Sequence, residues 1–243
     1  MQNDFIYGLN PVLEALDGNQ NIDKILIRRG KNEDIVHQIK QLAKEHRVPF
    51  SLVPDEKLDR LTKKNHQGVI AFISPIPFYQ IDDLMPQIFE EGRLPLIMIL
   101  DGITDVRNFG AIARTCYSAG FDAIIIPSQG FARVSEDAVK TSAGALLKIP
   151  VCRTHHLADT IRYLQNSGVS VVAASEKAEQ YYFNHDFSSP VAIVMGAEDV
   201  GVSEAAIRQA DAMLKIPMAN AFNSLNVSVA AGILAFEAVK QRL

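Results

Sequence analysis

Two scales of alternation run along this chain, and the change between them falls near residue 73. Before it, short apolar stretches of period two take turns with stretches of helical period. IDKILIR, from Ile22 to Arg28, reads as a strand, as do PFSLV and GVIAFI, the last from Gly68 to Ile73. NPVLEAL predicts a short helix with Asn10 as its cap and Pro11 in its first turn. EDIVHQIKQLAKEHR predicts a longer one, its apolar stripe carried by Ile35, Ile39 and Leu42. Together these elements predict a small α/β domain over residues 1–73. SPIPFYQIDDLMPQ then brings three prolines into a short span, so residues 74–93 are expected to form a linker.

Beyond Arg93 the apolar runs become nearly continuous. LPLIMIL, DAIIIP, KIPVC, GVSVVAAS, PVAIVMG and AMLKIPM read as strands buried on both faces, with helical patterns between most of them. Such strands imply a parallel sheet covered by helices on both sides, and hence an α/β domain over residues 94–243. Ligands of these sheets sit beyond the C-terminal strand ends, which makes the residues after each strand the candidates for chemistry.

Three strand ends stand out. In LDGITDVRNFGAIARTCYSAG, Asn108 and Gly120 suit the cap and the C′ position of the helix between them. Arg114 lies two residues from Ile112 and Cys116, so it points away from their stripe, and helical spacing alone makes it a surface arginine. In IVMGAEDVGVS, Gly196 lets a backbone approach a ligand closely, Glu198 occupies a crevice position, and Gly201 allows a tight turn before a helix capped by Ser203. The third is NAFNSLNVSVAAG, where Ser224 and Asn226 are each suited to cap the last helix. One cap accounts for one residue. Asn220, Asn223, Ser224, Asn226 and Ser228 crowd a single helix start, which points to a polar ligand held there.

Composition removes several alternatives. At 48% hydrophobic and 21% charged, the 243 residues describe a folded globular chain. The longest apolar runs fall far short of the roughly 20 residues a membrane span needs, and MQNDFIYG has no signal-peptide character. Cys116 and Cys152 are the only cysteines, each in an apolar context, as expected of reduced thiols in a cytoplasmic protein. No G-x-G-x-x-G, phosphate loop or G-x-S-x-G elbow is present, and the six histidines show no metal-ligand spacing. Charge divides unevenly. The first 73 residues hold 11 Lys+Arg against 10 Asp+Glu, a net of +1, and the remaining 170 hold 13 against 18, a net of −5. Arg28, Arg29, Lys63 and Lys64 fall in two basic clusters of the first part, IRRGK and RLTKKNH.

NFGAIART, MGAEDVG and IPMANAFNSLNVSVAAG resemble, in order and spacing, the three motifs of the SpoU family, also called TrmH, of RNA ribose 2′-O-methyltransferases. The resemblance covers Leu94 to the C-terminus, and IYGLNPVLEAL with NHQGVIA resembles the small, L30e-like RNA-binding domain that many members carry. Among subgroups, the chain is most similar to bacterial 23S rRNA (guanosine-2′-O)-methyltransferases. The resemblance implies S-adenosyl-L-methionine as cofactor and a SPOUT fold whose C-terminal segment is threaded into a deep trefoil knot, and the cysteine and histidine spacings predict no metal. It also implies a homodimer whose active site is completed across the interface. By the same resemblance Gly196, Ile216, Met218 and Leu225 contact the cofactor, and Asn108, Arg114, Glu198, Ser224 and Asn226 are catalytic positions, with Glu198 suited to orient Arg114. Arg28, Arg29, Lys63 and Lys64 are then expected to capture RNA. One departure is that Val106 follows Asp105 where the family usually has proline, which loosens the turn before Asn108 and removes no functional side chain. The alternatives are a tRNA methyltransferase of the same family and a non-catalytic RNA-binding or ribosome-assembly protein. A nucleotide or sugar-phosphate enzyme lacks its phosphate loop here.

Overall fold

A computed structural model describes residues 5–30, 34–219 and 224–243. The chain divides into two compact units, one running to Pro77 and including Val134–Glu136, the other comprising Phe78–Arg133 and Asp137–Leu243.

The first unit follows the sequence in the order β1 (Phe5–Tyr7), α1 (Leu9–Asp17), β2 (Ile22–Arg28), α2 (Asp34–Glu45), β3 (Phe50–Val53), α3 (Asp55–Leu61) and β4 (Val69–Ile73). Its four strands pair in the order β1-β4-β2-β3, with β4 antiparallel to both neighbours and β2 parallel to β3. Strand alternation divides the core. Ile25, Ile27, Val69 and Ala71 pack with Val12, Leu16, Val36 and Ile39 of α1 and α2, while Leu26 and Ile70 meet Val53 and Leu58 on the other face. The start of α1 corrects the expected cap. Its N-cap is Gly8, at φ 97°, Asn10 lies inside the helix, and the Leu9 N–H donates to Gln67 Oε1 at 3.1 Å. A side chain reaching across from the β4 approach thus does what a local cap would do.

In the second unit the elements are α4 (Ile81–Glu90), β5 (Leu96–Asp101), α5 (Val106–Ser118), β6 (Ala123–Pro127), α6 (Glu136–Thr141), β7 (Val151–Thr154), α7 (Leu157–Asn166), β8 (Ser170–Ala174), β9 (Gln180–Tyr181), β10 (Val191–Gly196), α8 (Glu204–Gln209), β11 (Ala212–Lys215) and α9 (Val227–Arg242). The α4 helix lies inside the segment expected to be a linker. Ile81, Met85 and Ile88 recur at helical spacing and are buried in the core of this unit, which outweighs the backbone hydrogen bond lost at Pro86.

Seven strands form one sheet in the order β7-β6-β5-β10-β8-β11-β9, and every pairing in it is parallel. Ile97, Ile99, Ala173 and Val194 pack into one cluster with residues of α4, α7 and α8. Met98, Leu100, Val172 and Ile193, which alternate with them, are buried too, so the central strands have no wet face. The chain leaves β5 toward β6 and leaves β10 toward β11, in opposite directions. The crevice between the C-terminal ends of β5 and β10 is therefore the switch point where such folds hold ligands. The last helix is fastened at both ends. Arg242 donates to the carbonyl oxygens of Phe187, Leu94, Pro95 and Ser189 at 2.6–3.2 Å, and the start of α9 enters the crevice. Among the described residues no helix is long and apolar enough to cross a membrane.

Candidate functional site

Three loops meet at the switch point, and each is shaped by its own sequence. After β5 the chain turns through Gly102, at φ 76°, to Asp105. Asp105 caps α5, accepting from the N–H groups of Arg107 and Asn108 at 2.6 and 2.9 Å. The expected cap was Asn108. A carboxylate one residue ahead of the helix is the stronger acceptor for its positive end, and it leaves the Asn108 side chain free to face the crevice.

After β10 the segment 197–201 folds back on itself. Ala197 and Gly201 exchange backbone hydrogen bonds of 3.1 and 2.9 Å, and Gly201 takes φ 70°. This sharpens the reading of Gly196. A Cβ there would lie 2.1 Å from Gly201 C and Val202 N, so the backbone brought close is the chain's own returning loop. The loop is also pinned to the neighbouring strand, because the Ser203 N–H donates to Asp101 Oδ2 at 2.8 Å. Ser203 caps α8, as its position in the sequence predicts.

The third loop ends at Asn226, the N-cap of α9, whose Oδ1 accepts from the Ser228 N–H at 3.0 Å and from its hydroxyl at 2.5 Å. The amide nitrogen of the same side chain donates to Asn108 Oδ1 at 3.0 Å and to Glu198 Oε1 at 2.5 Å. Asn108 closes the triangle by donating to Glu198 Oε1 at 3.1 Å. Three expected site residues, drawn from three strand ends, thus form one hydrogen-bonded unit. Ser228, present in the sequence pattern without an assigned role, is part of it. Asn220 and Asn223 lie outside the described residues.

Two cavities adjoin the triangle and share Ala197, Glu198, Asp199 and Val227 as a wall. The larger, of about 400 Å³, is lined by all four expected cofactor contacts, Gly196, Ile216, Met218 and Leu225, and by Ser224. Met195, Leu214 and Ala230 give it apolar walls, and its size suits a small molecule. Lys177 also lines it and carried no signal in the sequence, since its loop has neither motif nor unusual composition. The smaller cavity, of about 190 Å³, lies between the β5 and β10 loops and is lined by Asp105 and Asn108.

Arg114 is elsewhere. It is exposed on α5, about 9 Å along the axis from Asn108 and about 120° round it. Among the described residues no hydrogen bond or ion pair joins it to Glu198, which is engaged by the two asparagines instead. Within one chain Arg114 and Glu198 are therefore not paired, and helical geometry is the reason. Both cysteines are free and buried, and burial pushes the Cys152 thiol up to about 12 and Cys116 higher still, so neither offers a thiolate. Among the described residues no group of three or more His, Cys, Asp or Glu could hold a metal ion.

In the first unit, Arg28, Lys63 and Lys64 line one surface cavity of about 520 Å³, while Arg29 is exposed and does not line it. Arg28 is ion-paired with Asp55 at 3.0 Å, and Lys64 lies 5.9 Å from the ring centre of Tyr7. His66, which the sequence did not single out, braces the cavity wall. Its Nδ1 accepts from the Gly68 N–H at 3.0 Å, so Nε2 carries the proton it shares with Asp59 at 3.1 Å.

Residues 95–236 match the SpoU rRNA methylase family, and residues 5–79 match the family described as RNA 2′-O ribose methyltransferase substrate binding. The Bacillus subtilis protein YacO, assigned to the TrmH family of tRNA/rRNA methyltransferases, is 33% identical over 241 residues, covering 99% of this chain and 97% of that one. The crystal structure of an AdoMet-bound rRNA methyltransferase from Sinorhizobium meliloti is 28% identical, with a TM-score of 0.61, covering 98% of this chain and 87% of that one. The TrmH/SpoU tRNA modifying enzyme of A. aeolicus, 26% identical with a TM-score of 0.57, covers 66% of this chain and 83% of its own.

The triangle makes a test of its own. Asn226→Ala removes the α9 cap and is expected to cost about 1–2 kcal/mol in urea unfolding at pH 7. Asn226→Asp keeps an acceptor for the Ser228 N–H but sets a second carboxylate beside Glu198, which raises the pKa of the pair in the folded state. The folded variant then binds more protons than the unfolded chain, so its deficit against the unmodified protein is expected to shrink as pH falls from 8 to 5. A deficit that grows over that range contradicts the arrangement.

Proposed function

The chain belongs to the SpoU rRNA methylase family, whose members are S-adenosyl-L-methionine-dependent RNA methyltransferases, and from that premise we propose that it methylates a ribose 2′-OH, on a guanosine of 23S rRNA. The observation that carries this reading is the Asn108–Glu198–Asn226 triangle standing between two cavities. The larger has the size and apolar walls that suit the cofactor, held by Gly196, Ile216, Met218 and Leu225. When bound, the cofactor supplies a methyl group on a sulfonium. The smaller cavity, polar and sharing a wall with the first, suits the acceptor ribose. Asn108 lines it and Ser224 lines the adjoining cavity, offering donors and acceptors, while Asn226 and Glu198 hold Asn108 in place. Bringing hydroxyl and donor together in a fixed orientation supplies much of the acceleration.

The acceptor hydroxyl must lose a proton as its new bond forms. Arg114 is the residue for that end of the reaction, as a donor that binds the neighbouring phosphate and stabilises the developing alkoxide. The proton passes to that phosphate or to water, because a guanidinium stays protonated and is no base. On this reading it serves the site of a second copy in a homodimer, which its exposed place on α5, away from this chain's own crevice, supports. Support for the dimer comes from α5 and α9, which pack on each other while leaving Tyr117, Val229 and Phe236 exposed. Val229 and Phe236 lie seven residues apart on one face of a helix whose other face is buried, and an apolar face of that kind calls for a partner. We further propose that the C-terminal segment is threaded as a deep trefoil knot.

Residues 1–73 form the RNA-capturing domain on this reading, and 94–243 the catalytic one, with α4 belonging to the latter. The basic cavity of Arg28, Lys63 and Lys64 supports that division. Preference for rRNA over tRNA draws support from coverage, since the rRNA methyltransferase of S. meliloti spans both units and the A. aeolicus tRNA enzyme spans about two thirds of the chain. A cytoplasmic location follows from the substrate.

Arg114→Ala is expected to lower methyl transfer to RNA by about a hundredfold or more, while calorimetry finds S-adenosyl-L-methionine bound within about twofold of the unmodified affinity. Methylation retained by that variant sinks the assignment. Lys63→Ala and Lys64→Ala are each expected to reduce the slope of log affinity for RNA against log salt by about 0.7–0.9, as loss of one phosphate contact does. Slopes that do not move place RNA capture elsewhere on the chain.

A further inference from the structure

Three aromatic residues in a row, Tyr181, Tyr182 and Phe183, follow the start of β9 at the edge of the parallel sheet. Tyr181 and Phe183 are 39% and 46% exposed, unusual for rings with no buried core to complete. They are stacked on each other, with ring centres 5.4 Å apart and planes 16° from parallel. Tyr182 props Phe183 from the side in an edge-to-face contact at 5.2 Å. The Lys215 ammonium lies 5.1 Å from the centre of the Tyr181 ring. A two-residue edge strand could be covered by any small β-branched residue, and that need does not produce a braced pair of open rings beside a cation.

Their location is as informative as their geometry. β9 pairs in parallel with β11, with Tyr181 opposite Lys215, so the rings stand at the same C-terminal edge as the site. The residue after Lys215, Ile216, lines the cofactor cavity, and so do Ser175 and Lys177 of the loop leading into β9. One strand spacing and one residue step put the Tyr181 backbone within about 10 Å of that of Ile216 at the cavity wall. Glu176 lines the same rim, which leaves stacking, not net charge, as the dominant attraction.

We propose that Tyr181 and Phe183 form a stacking platform for an unpaired base of the substrate RNA next to the methylated nucleotide, with Lys215 meeting the adjoining phosphate. This rests on the reading of the chain as an RNA methyltransferase. A nucleotide whose 2′-OH is to enter a cavity must be drawn out of regular pairing, and its neighbours lose their stacking partners when it goes. An aromatic ring at the cavity rim replaces what they lose, without regard to sequence, since every base has a π face.

The chain contains no tryptophan, so Phe183→Trp keeps an aromatic face and introduces a sole indole reporter. Its emission is expected to be quenched by a stem-loop RNA with an unpaired loop, and not by the blunt duplex of the same stem or by a stem-loop whose loop nucleotides are abasic. Tyr181→Leu combined with Phe183→Leu keeps apolar cover and removes the rings. That variant is expected to bind the stem-loop roughly tenfold or more weakly, with unchanged S-adenosyl-L-methionine affinity and unchanged sedimentation. Equal RNA affinity overturns the platform. So does a loss of cofactor affinity in parallel, which makes the rings a cavity wall, or a shift from dimer to monomer, which gives the face to a second copy. An unmodified chain that neither binds the stem-loop nor methylates any RNA removes the underlying reading as well, whereas active unmodified protein with an unaffected variant removes the platform alone.

Discussion

The side-chain amide of Asn226 is the point on which the site depends. Its oxygen caps α9, and its nitrogen reaches Asn108 and Glu198 on two other strand ends. An asparagine is suited to this because it carries two donors and an acceptor on one planar group, so it can end a helix and join two loops at once. Aspartate would cap as well but could donate to neither partner. Because the three loops belong to β5, β10 and the segment after β11, fixing them to one another fixes the shape of both cavities between them. The helix behind Asn226 is held at its far end by Arg242, so the amide is presented from a rigid rod.

Around that point, close backbone approach is secured by residues that give up side chains. Gly196 leaves room for Gly201 and Val202, and Gly201 supplies the left-handed turn that returns the loop. Asp105 and Asp101 take the exposed N–H groups at the start of α5 and α8, which releases Asn108 and Glu198 from local duties. Charged and polar groups near the crevice thus divide into those that hold the loops and those that face the cavities.

Much of this was legible in the chain. Continuous apolar runs mark the strands of the parallel sheet because such strands must be buried on both faces, and their C-terminal ends point to Asn108, Glu198 and Asn226. What escaped was governed by distance in space. The cap of α5 went to Asp105 instead of Asn108 because two acceptors three residues apart compete, and only the fold decides which one faces the crevice. The α4 helix was hidden by Pro75, Pro77 and Pro86, although Ile81, Met85 and Ile88 carried a helical stripe that the core of the second unit could use. Pairing of Arg114 with Glu198 followed from the resemblance, and the rotation of α5 leaves the two apart within one chain. His66 and Lys177 lie in loops with no periodicity, where sequence carries little about which side chains converge.

If the amide of Asn226 joins the loops rather than merely ending a helix, removing it must change what Asn108 contributes. A double-mutant cycle of Asn108→Ala and Asn226→Ala, read as S-adenosyl-L-methionine affinity by calorimetry, measures that dependence directly. Coupling of about 1 kcal/mol is expected, with the second substitution costing little once the first is present. Losses that simply add would show that the two asparagines act separately and that the cavities do not depend on their bond.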